Sequence, residues 1–599
     1  MVTIAPQRSD RRPGVGRAPR PRLTPFKIVA FTAALLLALL ATYPILRVVI
    51  AMVFVDGRFT LEPLLAVFSV PDLWELVANT VIVVVASGAL ALVIGTVLAW
   101  LNARTDARIA GLTDALPMIP FLLQPIAGAI GWVLLISPTA GLLNAAIRDG
   151  LGFLGIHLES GPFDIFSWGG LIFVYTLYQV PYVFMLVNTG LSNSDSSLDE
   201  QSWISGATKW QTIRRVTLPA IKPSIGGAVL LMAWQGFSLY SVPVIIGSGA
   251  GIDVLSVRIV KLLSFTYPAQ TSTAVGLSFI VLLFVGTLWY LQSRLLRGGR
   301  NATLGSKGQR FVRLRLGKWK WPARALMFAY GLLAIVMPVG GLLLVSLNGY
   351  WTPKIDWAGM SLDSIVKSVF QDGQTLIAVQ NSVWIATVGA TVGMVLAALV
   401  ALLVLRSRSR VVRVLDGAIK LPSVFSHLVI AVGFILAFAG PPFNLGGTTL
   451  ILLMVYISIY LPQASVSADS AANQIGHDLS EASQISGAGG TRTFMRIYFP
   501  LMLSGLVAGW AFLFARMVGD LTATAVLAGT TNMVVGFRIL QIFENGSYAA
   551  LASLAVVLTV ITTVMVGLSL MLGMWQSRWQ RRKVRPQKRA VRAARKEAS

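Results

Sequence analysis

The chain predicts an all-α integral membrane fold of about twelve transmembrane helices, arranged as two parallel six-helix halves. Three observations carry this expectation. Of the 599 residues, 55% are hydrophobic and only 12% charged, with a mean hydropathy of +0.73, too apolar for an ordinary soluble domain. Apolar runs long enough to cross a bilayer, about 20 residues each, recur along its whole length. Two blocks of sequence also occur twice, in the same order.

An Arg- and Pro-rich leader, 1–26, opens the chain and reads as a disordered basic tail. The first half, 27–293, contains apolar spans at 27–51, 76–101, 112–137, 166–191, 220–247 and 271–293. The first of these is longer than a signal peptide core and is read as an uncleaved helix. A basic linker, 294–321, follows. The second half, 322–576, contains spans at 322–347, 378–405, 414–439, 446–468, 501–528 and 548–576, and a basic tail, 577–599, expected to be disordered, ends the sequence. Prolines inside spans, as in "PMIPFLLQP" and "LYQVPYVF", are tolerable where neighbouring helices satisfy the freed backbone groups.

The net charge of +25 would suggest nucleic acid in a soluble protein, but position decides otherwise. Ten Lys and Arg lie in 292–326, which has no acid, and ten in the tail; most of the rest fall in alternate loops on the same side. That asymmetry anchors both termini and the linker in the cytoplasm beside anionic lipid. No cysteine is present, which excludes disulfides, thiolate metal sites and cysteine nucleophiles.

The repeats define the halves. At an offset of 281, "EQSWISGATKWQTIRRVTLP" (200–219) matches "EASQISGAGGTRTFMRIYFP" (481–500) at nine of twenty positions, including Glu200/Glu481, Ser202/Ser483, Gly206/Gly487, Arg215/Arg496 and Pro219/Pro500. At an offset of 302, Asn79, Arg104, Arg108, Asp114, Pro120 and Gly131 match Asn381, Arg406, Arg410, Asp416, Pro422 and Gly433. The change of offset places a 21-residue insertion in the outside loop after the third span, which could form an external helix. An even number of spans per half makes the repeats parallel, so a substrate path would run between them.

Each repeated loop opens on a helix-start pattern, Ser197-x-x-Glu200 and Asp478-x-x-Glu481. Gly206 and Gly487 suit a left-handed helix end, and Pro219 and Pro500 the start of the next membrane helix. The loops therefore read as two short helices exposed to the cytoplasm, a docking surface present twice.

On these residues the chain resembles the permease subunits of bacterial ABC importers. The pattern that carries the likeness is Glu200, Gln201, Ser202, Gly206, Val216, Leu218 and Pro219, and again Glu481, Ala482, Ser483, Gly487, Ile497, Phe499 and Pro500. Gln201 stands where that family usually has Ala, and Phe499 where it usually has Leu. The resemblance implies a type I importer fold, a coupling helix in each loop seated on one of two cytoplasmic ATP-binding subunits, and an extracytoplasmic solute-binding protein. The stretches 237–262 and 519–558 look like the fused permeases of ferric-iron importers and their relatives for thiamine and phosphonates. Ferric iron is the substrate that likeness favours, with thiamine, phosphonate or polyamine as alternatives.

The chain has no G-x-x-x-x-G-K-[ST] phosphate loop, so it is read as a transport subunit, not an enzyme, without a cofactor of its own. The glycines of 247–251 read as an external turn. His157, His427 and His477 are too scattered for a metal site, and no metal is assigned. Charges within spans are costly and are candidates for function. Arg516 and Asp520, four residues apart, read either as a self-neutralising structural pair or as part of the substrate path; Gln235 and Leu239 are their counterparts in the first half. His427 is a further candidate for the pathway and Lys420 a weaker one. A secondary transporter with the same twelve spans, driven by an ion through Asp520, is the rival reading.

Overall fold

A computed structural model of the chain describes residues 25–55, 57–121, 123–194, 197–297, 313–407, 409–473 and 498–597. Within them the fold is helical, apart from a two-residue hairpin that pairs Phe54–Val55 with Arg58–Phe59. Nine helical stretches are long and apolar enough to cross a membrane, and twelve segments result if three bent pairs each count as one. The leader 1–24 and most of the second repeated loop, 474–497, lie outside the described residues.

The three bent pairs correct the straight spans expected at 112–137, 220–247 and 414–439. Leu112–Phe121 turns by 92° into Pro125–Ile136, and Arg410–Val424 turns by 109° into His427–Ala439. Prolines explain the first bend: Pro120 ends a tight 3₁₀ stretch, and Pro125 drives Gln124 into extended backbone, with φ −61° and ψ 138°. In the second, Ser426 is extended, and its hydroxyl accepts the Val429 N–H at 3.2 Å to begin a new helix. The third segment proper, Pro125–Ile136, has 12 residues and rises about 18 Å, short of the roughly 30 Å hydrocarbon thickness.

The fifth segments also differ from expectation. The pair Lys209–Ala220 and Lys222–Ser238 bends by 69°, so the membrane helix of the first half starts at Lys222-Pro223, not at Pro219. It stops at Ser238 and its counterpart Phe499–Val518 stops at Val518, nine or ten residues before the apolar runs do. Both chains continue as short turns and helices that stay buried. The expected external helix is present as Leu142–Gly152, held by Asn144, whose amide donates to the Ser137 and Phe163 carbonyls at 2.9 and 2.7 Å. The basic tail expected to be disordered instead prolongs the last helix, Tyr548–Glu597; its Arg, Lys, Gln and Ala residues are good helix formers.

The halves are interlocked. The first helix, Pro25–Ala51, packs on Gly373–Arg406, Arg410–Lys420 and His427–Phe434 of the second half, while Met337–Asn348 packs on Pro125–Ile136 of the first. The repeated glycines allow both crossings: a Cβ on Gly131 would lie 2.4 Å from the Pro338 carbonyl oxygen, and one on Gly433 2.6 Å from that of Pro44. Arg47 donates to the Leu436 carbonyl at 3.1 Å, and Trp351 Nε1 to that of Leu134 at 3.3 Å. The seam between the halves is therefore a packed core, with narrow clefts where polar side chains meet.

Candidate functional site

Two regions carry the polar chemistry, the repeated loop and the seam.

In the first loop, the described residues resume with the helix Ser197–Ile204. It ends at Gly206, whose φ is +81°: the Gly206 N–H donates to the Trp203 carbonyl and the Ala207 N–H to that of Ser202, each at 3.0 Å. This pair of bonds closes the helix in a Schellman turn, which a residue with a side chain would strain. A second short helix, Lys209–Thr212, follows with a reciprocal cap that the sequence reading overlooked: Thr208 Oγ1 accepts the Gln211 N–H at 3.3 Å, and Thr208 N–H donates to Gln211 Oε1 at 2.8 Å. The pattern Thr-x-x-Gln is its signal. The hydroxyls of Ser202 and Thr212 meet at 3.0 Å and tie the two helices together; the same residue types recur at Ser483 and Thr493.

This helix pair is fastened to the body. Asp199 accepts from Thr217 Oγ1 at 3.0 Å and lies 3.7 Å from Arg104. The end of the linker docks beside it, with Leu314 N–H donating to the Arg104 carbonyl at 2.9 Å and Asp106 N–H to that of Leu314 at 3.1 Å. The outer surface shows unburied apolar side chains instead: Ile204 is 87% exposed and Trp210 68%. Glu200 and Ser202 are half-buried, and Gly206, Arg215 and Pro219 are exposed. Of the second copy, Glu481, Ser483, Gly487 and Arg496 lie outside the described residues. Pro500 is seen in the first turn of Phe499–Val518.

At the seam, two adjoining clefts share Phe121, Pro125, Gln235, Leu239 and Arg516. One is completed mainly by Tyr178, Gln179 and Tyr182, the other by His427, Tyr460 and Asp520. The structure thus brings together all four residues predicted for the pathway, Gln235, His427, Arg516 and Asp520, which lie up to 285 positions apart in sequence.

It also corrects the expected Arg516–Asp520 pair. The helix ends at Val518, so Asp520 is not on its face, and among the described residues no ion pair within 4 Å joins the two. Asp520 is committed elsewhere: Tyr460 Oη donates to Oδ2 at 2.7 Å, and the Ala523 N–H donates to Oδ1 at 2.8 Å. Tyr460 is the residue that sequence reasoning missed. Its counterpart at the repeat offset is Gln179, and an aromatic residue in a greasy span gives no polar signal.

The surrounding polar groups are only partly satisfied. Gln124 donates its amide to Thr562 Oγ1 at 2.9 Å, but among the described residues its Oε1 is buried without a partner, as are Gln179 Oε1, Tyr178 Oη and His427 Nε2. The His427 ring meets Trp234 of the first half and Tyr460 edge-on, at 5.2 and 5.5 Å between centroids. Among the described residues no group of three His, Cys, Asp or Glu could hold a metal ion. Lys420 is a structural cation: its Nζ lies 2.8 Å from both Asp416 and Asp469.

The comparisons with known proteins agree with this architecture. The family described as binding-protein-dependent transport system inner membrane component matches the chain twice, over residues 91–293 and 389–586. The ferric transport system permease protein FbpB of Actinobacillus pleuropneumoniae is 20% identical over 88% of this chain and 75% of its own length. The sulfate transport system permease protein CysW of Escherichia coli strain K12 is 30% identical over 39% of this chain and 79% of its own.

Proposed function

The chain belongs to the family of inner-membrane components of binding-protein-dependent transport systems, with two copies of the family domain fused, and from that premise we propose that it forms the substrate path of an ATP-driven importer. Both termini lie in the cytoplasm, two copies of an ATP-binding subunit dock on 197–219 and 478–500, and an extracytoplasmic solute-binding protein delivers substrate to the seam. Ferric iron is the proposed cargo, since relatives spanning most of the chain carry that name.

The observation that carries the reading is the helix pair at 197–212, braced underneath by Asp199, Arg104 and the linker while Ile204 and Trp210 face outward. A partner that binds one conformation of the seam more tightly than another, through such a braced element, shifts the seam by that difference in affinity. A rival ion-driven transporter needs an acid free to take its ion, and Asp520 already accepts from Tyr460 and Ala523.

The decisive variant is Gly206→Asp with Gly487→Asp. Loss of the co-purifying ATP-binding subunit and of ATP-dependent uptake, with the chain still in the membrane, is the expected result. An unchanged ATP-driven uptake would end the coupling assignment.

A further inference from the structure

We infer that the seam passes an anion, with Arg516 as the group that receives it. This deepens the importer reading and rests on it only for the direction and energy of transport.

Arg516 is an ionised group inside the apolar seam, where an unmatched charge is costly. The nearest acid, Asp520, has one oxygen held by Tyr460 and the other by the Ala523 backbone. Among the described residues the Arg516 guanidinium makes no hydrogen bond and no ion pair within 4 Å, and the side chain is half-buried where it lines both clefts. A guanidinium left with free donors in a confined space is built for planar, two-point contact with a carboxylate, sulfate or phosphonate.

Its surroundings point the same way. The Gln235 amide and the Ser241 and Thr522 hydroxyls line the clefts and make no side-chain hydrogen bond among the described residues, and each can donate to an oxyanion. Asp520 is the single acid in either lining, and neither contains a second carboxylate with which to wrap a bare hard cation. Fe³⁺ would therefore cross here inside an anionic chelate such as its citrate complex; a free oxyanion such as sulfate or a phosphonate presents the same chemistry to the same donors.

Because the chain has no cysteine, Ser241→Cys in the full-length protein, in membrane vesicles with its partner subunits, places one reactive thiol in the cleft. The probes are the anionic sulfonatoethyl and the cationic trimethylammonioethyl methanethiosulfonates, each rate taken relative to that with a thiol free in solution. The anionic reagent should be favoured about tenfold, the scale on which a charged cleft concentrates counter-ions. Arg516→Gln should abolish the preference and Arg516→Lys should keep it, which separates loss of charge from loss of fold. Protection of the thiol by sulfate or methylphosphonate assigns a free oxyanion. Protection by ferric citrate, but not by citrate alone, assigns the chelate. No preference, a cationic preference, a preference that survives Arg516→Gln, exclusion of both reagents, or protection by none of these solutes overturns the inference. Labelling requires no ATP turnover, so it can fail while coupling through Gly206 and Gly487 holds, and the reverse.

Discussion

The two halves share a backbone plan but not a chemistry. Repeat-matched positions line the two adjoining clefts at the seam: Pro125 and His427, Gln179 and Tyr460, Gln235 and Arg516, Leu239 and Asp520. Every member from the first half is neutral, and the four from the second are titratable or charged. At the linker side the plan is kept more evenly. Arg108 grips Asp114 at 2.7 Å in the first half, and Lys420 grips the matching Asp416 at 2.8 Å in the second. Duplication has preserved what both halves must do alike, which is to bend, brace and interlock. Among these matched positions the charged and titratable groups are confined to one half.

The sharpest way to break this comparison is at Asp520. Asp520→Ala leaves the Ala523 N–H buried without its acceptor and the Tyr460 hydroxyl with only the longer contact to the Arg516 carbonyl at 3.3 Å, at about 1–3 kcal/mol for each lost bond. A marked loss of thermal stability in detergent is expected, larger than for Gln235→Ala in the first half. Adding Tyr460→Phe should recover part of the loss, since it removes the donor that has lost its short bond; strictly additive losses would show that the bond carries no such weight.

The interlock should be symmetric where the clefts are not. Gly131→Ala and Gly433→Ala each push a Cβ against a carbonyl oxygen of the opposite half, and each should cost about 1–3 kcal/mol of stability. Gly393→Ala, whose nearest neighbour would lie at 3.7 Å, is the matched control and should be tolerated. Unequal losses at Gly131 and Gly433, measured by thermal unfolding of the purified chain, would mean that the two crossings are not equivalent.

The smallest effect concerns two arginines outside the spans, each in a short helix that follows the fifth segment of its half. Arg258 pairs with Asp253 of its own loop at 3.1 Å, whereas Arg538 reaches back to Asp372 at 2.6 Å. Burial works to raise the pKa of Asp372, but the bonds from Thr375 and Arg538 outweigh it, so the carboxyl titrates below the ordinary carboxylate range. A depressed folded-state pKa stabilises above the unfolded value, near 4, and the gain is lost as pH falls through the lowered one. Asp372→Asn should therefore lower the melting temperature slightly at neutral pH and flatten its fall on the acid side; an unchanged acid profile would remove Asp372 from that role.

Much of this was legible from residues alone. Hydropathy located the nine candidate spans and the three bent pairs seen among the described residues, the two offsets located the repeat, and Gly206 announced its left-handed turn six residues after Glu200. The bends at Gln124 and Ser426 were not legible, because a hydropathy window sums greasiness without regard to direction and a folded-back segment scores like a straight one. Nor was Asp520's partner: spacing suggested Arg516, but the helix ended at Val518 and Tyr460 took the carboxylate.

The sequence by itself determined the order of the apolar segments, the duplication and the form of the first repeated loop, because each depends on local necessities. A helix in lipid must satisfy its own backbone bonds, and a turn with positive φ asks for glycine. Only the tertiary structure decided that the first helix of each half crosses to the other, that Gly131 and Gly433 admit those crossings, and that the Arg516 guanidinium stands in the seam without a hydrogen bond among the described residues. Those outcomes depend on close approaches between residues hundreds of positions apart, and such approaches leave no periodic mark in the chain.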